Sequence, residues 1–215
     1  MKQCLVKGFM FSLMLIMPLS GLADDSASKA VTQPDQIVRE TISGVLDQLT
    51  KNKAEYEADH GKLFAMVDER ILPYFDFRKM SQLVLGLNWR RADDQQREKF
   101  VSEFKQLLVR TYAIALLNYT NQKLEYLPYT GEPTDKVVTV KVNIKQGGGS
   151  PDIPVYSQFY NGKNGWKVID ISIEGISLVT NYRNVYNDTI RKDGLDKLIQ
   201  SIADSNKRAM ENKAG

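Results

Sequence analysis

The sequence predicts an α+β fold: an antiparallel meander sheet packed with a helical bundle around an apolar, cone-shaped pocket. Three observations carry this. Apolar residues recur at helical spacing as far as Tyr119. The period then drops to two, where Val138, Val140, Val142 and Ile144 alternate with Thr139, Lys141, Asn143 and Lys145. After Gly175 the helical period returns. Helices, then a meander, then helices is an α+β order. A curved sheet with helices on its concave side leaves a cavity open at one end.

The densest β-forming run is Gly165 to Val179. Strict alternation puts Trp166, Val168, Asp170 and Ser172 on one face and Lys167, Ile169, Ile171 and Ile173 on the other. Neither face is polar throughout, so this strand is expected inside the sheet rather than at its edge. Asp170 in such a run needs hydrogen-bond partners, because a buried carboxylate is costly without them.

The N-terminus reads as an address. Lys2 and Lys7 precede the apolar run Phe9 to Met17, and Gly21-Leu22-Ala23 meets Asp24-Asp25. This is a secretory signal, residues 1–23, cleaved after Ala23; the alternative is a retained membrane anchor. Cys4 is the only cysteine and leaves with it, so the mature chain has no disulfide and no thiolate chemistry. No Cys follows the apolar run to take a lipid. The signal also removes two of the 29 Lys and Arg and none of the 26 Asp and Glu. The balanced charge that remains argues against nucleic acid as a partner. A secreted, disulfide-free chain suits the periplasm of a Gram-negative bacterium.

Residues 24–33 are polar and small, and read as a disordered leader. The remaining domain, 34–204, divides into a helical part of about 34–120, a sheet part of about 121–175 and C-terminal helices over 176–204. Pro34 suits a first helical position, and Ile37, Val38, Ile42, Val45, Leu46 and Leu49 follow at helical spacing. Lys51 to Lys62 is charged. Leu63, Phe64, Met66, Val67 and Ile71 form a second helical face, ended by Leu72-Pro73. Met80, Leu83, Val84 and Leu87 form a third, up to Gly86–Trp89.

The strongest helix follows. Asp93 is a good N-cap with Gln96 as its capping-box partner. The stripe Phe100, Phe104, Leu107, Leu108, Thr111, Tyr112, Ala115, Leu116 and Tyr119 is wide, and Ala113 to Leu117 is apolar nearly all round. Leu124 to Leu127 reads as a strand. Gly147–Gly149 marks one hairpin and Asn161–Gly165 a second. The last helices break at Asp193-Gly194, and 205–215 reads as a flexible tail.

Catalytic groups are scarce. His60 is the only histidine and reads as an exposed helix-end residue. One histidine and no mature cysteine disfavour a transition-metal site. There is no Gly-x-Ser-x-Gly elbow and no Gly-x-x-x-x-Gly-Lys-[Ser/Thr] loop. Asp170 beside Trp166 is open to two readings, a general base raised by burial or a structural carboxylate. What the chain has in excess is apolar and aromatic side chains on facing elements. Six of the ten tyrosines lie between Tyr112 and Tyr160, where they fill a core or line a cavity.

Three segments carry a family resemblance: Met66–Asp76 continuing to Leu83–Gly86; Gln96–Phe100 through Tyr112–Leu117; and Trp166–Asp170 with Glu174–Val179 and Asn181-Tyr182-Arg183. Their order and spacing behind a signal resemble the MlaC, or toluene-tolerance, family of periplasmic phospholipid-binding proteins. The resemblance spans about Val38 to Ser201. It implies an NTF2-like sheet plus a helical part, no cofactor and no catalysis. It implies a monomeric carrier that shuttles glycerophospholipids and so maintains outer-membrane lipid asymmetry. The implied partners are an outer-membrane lipoprotein–porin complex and an inner-membrane ABC transporter bearing MCE domains. The alternatives are a small cone-fold enzyme using Asp170, and an adaptor whose cavity is plain core. Pocket residues are expected on one face of the meander, Val140, Val142, Ile144, Phe159, Val168 and Ile171, and on the helices, Val84, Leu108, Tyr112 and Leu116. A bulge would shift a strand face by one residue, and Ile171 depends on that most.

Overall fold

The structure is a computed structural model and describes residues 32–132 and 134–211. The expected signal and nearly all of the leader lie outside the described residues. No helix among those described is long and apolar enough to cross a membrane.

Helix α1 (Pro34–Ala58) has Pro34 in its first turn and buries Ile37, Val38, Val45, Leu49 and Tyr56. It ends at Ala58, inside the charged stretch Lys51 to Lys62. Only Asn52 leaves helical geometry, at φ −121° and ψ 19°. Helix α2 (His60–Arg70) starts at Asp59, whose carboxylate accepts from Gly61 N at 2.8 Å. A 3-10 turn (Leu72–Tyr74) follows. Asp76 then caps α3 (Phe77–Leu85) by accepting from Lys79 N at 2.8 Å. Gly86, at φ +55°, joins α3 to the short α4 (Leu87–Arg91). A side chain at that φ is strained, so the turn is one glycine supplies.

Helix α5 (Asp94–Ala113) carries the expected capping box of Asp93 and Gln96. It stops at Ala113, six residues before Tyr119, and tightens into a 3-10 segment (Ile114–Asn118). The sheet follows as β1 (Lys123–Tyr126), β2 (Val137–Lys145), β3 (Ile153–Gly162), β4 (Gly165–Ile173) and the two-residue β5 (Ile176–Ser177). The order is β1-β2-β3-β4-β5, an antiparallel meander. Strand β4 is the last long strand and lies between β3 and the short β5, inside the sheet as expected. Its outer side is covered by β5 and by the Phe75–Asp76 connection, where Asp76 N donates to Val168 O at 3.0 Å. Covering an edge in this way satisfies the backbone without another long strand.

Ser177 caps α6 (Leu178–Asp193) by accepting from Thr180 N at 3.0 Å. After Gly194 comes α7 (Leu195–Glu211), which takes in 205–211 of the segment read as a tail; 212–215 lie outside the described residues. Asn206 explains the extra turns: it is buried, and its amide donates to Glu103 O and to the Glu103 carboxylate at 3.0 and 2.8 Å.

Three apolar clusters organise the packing. One joins α3, α5, α6 and α7 through Met80, Val84, Phe100, Phe104, Tyr186 and Ile202. Phe100 and Phe104 stack with centroids 5.5 Å apart, and Tyr186 meets Phe100 edge-on at 6.0 Å. The second joins α1 to the inner sheet face, and the third joins α1, α2 and the end of α5. The cavity lies among the last two.

Candidate functional site: a divided apolar cavity

The inner sheet face is set by register. Val142 opposes Tyr126 and Val155, Ile144 opposes Leu124 and Ile153, and Val138 opposes Phe159. These side chains alternate inward as the sequence period requires. On β4 the alternation is interrupted. Gln158 pairs with Asp170 and Phe159 with Val168, so Ile169 is the extra residue of a β-bulge. The bulge turns Val168 and Ile171 to the same side.

Helix α1 crosses this face and does not close onto it. The space left is a cavity of about 390 Å³. Its walls are Ile37, Thr41, Val45 and Leu49 of α1, Tyr74 and Phe75 of the connection, Leu116 of the 3-10 segment, and Val142, Ile144, Val155, Phe159, Val168 and Ile171 of the sheet. No charged residue is in the lining. Polar groups are confined to Thr41, Ser157, two tyrosines and the amides Asn118, Gln122 and Gln146. Ala115, Asn118 and Gln146 are exposed and mark where the cavity meets solvent. Gln122 and Gln146 flank the Lys123–Lys145 pair, so this opening sits at the β2–β3 hairpin end of the sheet.

A second cavity of about 160 Å³ adjoins it. Leu108, Val109 and Tyr112 of α5, Phe77 and Met80 of α3, and Ile173 of β4 line it, again with no charged residue. Ile71, Phe75, Leu116 and Ile171 belong to both linings.

The expected site residues separate accordingly. Val142, Ile144, Phe159 and Val168 line the larger cavity, Leu108 and Tyr112 the smaller, and Leu116 and Ile171 both. Val84 and Val140 line neither. Val84 is fully buried in the cluster with Phe100 and Phe104, because α3 turns that face toward α5 and α6. Val140 shares a strand face with Val142 but is packed within the cluster of Ile37, Val38 and Phe159. The sequence reading missed α1 as a wall. Its signal, the run Ile37 to Leu49 at helical spacing, was plain. Periodicity marks an apolar face without distinguishing a packed neighbour from a void.

The charged group beside the opening is paired. Lys145, next to the opening, is held by Glu125 at 2.9 Å and Asp152 at 2.6 Å. Hydrogen bonds to these carboxylates push its ammonium up to about 12. Burial, with the nearby Tyr112 hydroxyl, pushes the Tyr182 phenol up to about 12 as well. Asp170 lines neither cavity. Its carboxylate accepts from Ser177 Oγ and from Val179 N at 3.0 Å, fixing the start of α6 on β4. Among the described residues no group of His, Cys, Asp and Glu could hold a metal ion.

Known proteins similar to this chain include two named for phospholipid transport or phospholipid binding. The family described as MlaC protein matches residues 39–204. The intermembrane phospholipid transport system binding protein MlaC of Haemophilus influenzae is 29% identical over 178 residues, covering 82% of this chain and 83% of that one. The toluene tolerance protein ttg2D of Pseudomonas putida is 26% identical over 178 residues, covering 81% of each. A phospholipid-binding protein from Ralstonia solanacearum, solved in complex with a phospholipid, superposes with a TM-score of 0.75 at 30% identity, over 82% of this chain and 98% of that one. With a family match over most of its length and a fold that agrees, the chain belongs to the MlaC family.

Proposed function

We propose that this protein is a periplasmic phospholipid carrier, which holds the acyl chains of a glycerophospholipid in the cavity and leaves the head group at the opening. The observation that carries the reading is the uncharged lining of a cavity of about 390 Å³. A cavity without charged groups suits hydrocarbon and offers no ionic partner to a charged metabolite. The relatives named for phospholipid transport and phospholipid binding support it.

The energetics suit transport. Each buried methylene is worth about 0.8 kcal/mol against water, so the roughly 25 methylenes of two chains are worth on the order of 20 kcal/mol. A membrane offers nearly the same environment, so transfer between bilayer and cavity is close to balanced. Direction then comes from the partners, an outer-membrane lipoprotein–porin complex and an inner-membrane ABC transporter with MCE domains. Shuttling between them maintains outer-membrane lipid asymmetry.

An enzyme built on Asp170 has no support from the geometry, since the carboxylate faces backbone and hydroxyl donors of α6 rather than a cavity. Native mass spectrometry of the protein purified from periplasm, followed by organic extraction, tests the carrier reading. Mixed phospholipids are expected. A soluble polar metabolite, or an empty protein that takes up no phospholipid from vesicles, overturns it.

A further inference from the structure

A polar recess of about 280 Å³ adjoins the larger cavity where α1 meets the 3-10 segment. Leu49, Leu116 and Tyr119 border both spaces. Beyond them the lining changes character, to Thr50 and Lys53 of α1 and Thr120 and Asn121 of the turn before β1. Thr50, Thr120 and Asn121 are exposed, so the recess is open to solvent. Gln122, from the same turn, lines the larger cavity.

Hydrogen bonds fix this turn. Gln122 Oε1 accepts from Thr120 N at 2.8 Å, its amide donates to Thr120 Oγ1 at 3.2 Å, and Tyr119 Oη donates to Gln122 O at 3.2 Å. Asn121 stands at φ +66°, a left-handed position that asparagine tolerates. Thr120 Oγ1 accepts in this network, so its own proton is left to donate.

Lys53 is the one charged residue of the lining. Its Nζ donates to Leu117 O at 2.9 Å, which fixes the ammonium at the recess. The carboxylate beside it, Glu57, is 3.8 Å away and half-exposed, a contact too long for a hydrogen bond and weak in water. An ammonium has three donors, so Lys53 keeps donors for a further partner. The other cations at this end do not compete. Lys123 and Lys145 alternate with the cavity residues Leu124 and Ile144, so they point to the outer face of the sheet.

Resting on the carrier reading above, we propose that this recess is a phosphate subsite: with hydrocarbon in the larger cavity, Lys53 Nζ and Thr120 Oγ1 donate to the phosphodiester of a glycerophospholipid. Charge-assisted bonds of this kind are stronger than neutral ones, and lysine serves phosphate as a point charge. The contact reaches the phosphate that all glycerophospholipids share and nothing beyond it. It therefore separates phospholipids from neutral diacylglycerol without choosing among head groups.

The test compares dioleoyl phosphatidylglycerol with dioleoylglycerol, which has the same tails and glycerol but no phosphate. Each is delivered from cyclodextrin to the intact mature chain and read by displacement of a pyrene-labelled diacylglycerol. The unaltered protein should prefer the phospholipid. Lys53→Gln should weaken it about threefold or more and leave dioleoylglycerol within about twofold, and Lys53→Arg should keep the preference. Should Lys53→Gln fold poorly, raising the salt from about 0.1 M to about 1 M on the unaltered protein shortens the screening length from about 10 Å to about 3 Å and should erode the same preference. Equal loss of both lipids in a folded variant makes Lys53 a structural tether and overturns the subsite. A preference that survives both Lys53→Gln and high salt overturns it too, as does binding of inorganic phosphate at the recess with no preference between the lipids. Failure of the unaltered protein to bind either lipid instead overturns the carrier reading, and the subsite with it.

Discussion

Val168 and Ile171 are three residues apart on one strand, yet both face the larger cavity. Strict alternation would put them on opposite faces. The extra residue Ile169 absorbs the difference, and Asp76 N donates to the Val168 carbonyl on the outer side. The same connection carries Phe75, which lines both cavities.

Val142 and Val84 are each almost fully buried, but only Val142 borders empty space. Val142→Trp should therefore abolish phospholipid binding with little change in Tm. Val84→Trp should cost about 1–3 kcal/mol through overpacking and leave lipid bound in the folded fraction. Thermal melting alongside lipid extraction separates them. A destabilised Val142→Trp protein that keeps its lipid would place that residue in packed core.

Asp170→Ala removes two acceptors at the start of α6 and should cost about 1–3 kcal/mol. Asp170→Asn keeps one acceptor and should lie at the low end of that range. Both should still yield phospholipid on extraction. An unchanged Tm combined with loss of any lipid-ester hydrolysis would return Asp170 to a catalytic role.

Gly194 joins α6 to α7 at φ +85° and ψ 166°, a region nearly reserved for glycine. A methyl group there meets nothing within 4 Å, so steric crowding is not the issue. Gly194→Ala should still cost on the order of 1–3 kcal/mol through backbone strain alone. Chemical denaturation measures it, and no change in midpoint would show that the joint relaxes freely.

Cleavage after Ala23 predicts a mature chain that begins at Asp24. Intact-mass measurement of the protein recovered from a periplasmic extract checks this. A species retaining Met1 would favour the membrane-anchor alternative.

The sequence by itself determined the α+β order, the meander, the hairpins, the cap at Asp93 and the break at Asp193-Gly194, because these follow from local period and turn chemistry. The segments that identify the family were also legible. Tertiary structure alone decided three things. It decided what covers the outer side of β4, here β5 and the backbone of Phe75 and Asp76, which are remote in sequence. It made Asn206 part of a helix, since its partner Glu103 is remote in sequence. And it divided the apolar residues into wall and core. Ile37, Val84 and Val142 look alike in sequence, because hydrophobicity reports removal from water. Whether a neighbour fills the space beside a side chain depends on how α1 crosses the sheet, which no local pattern encodes.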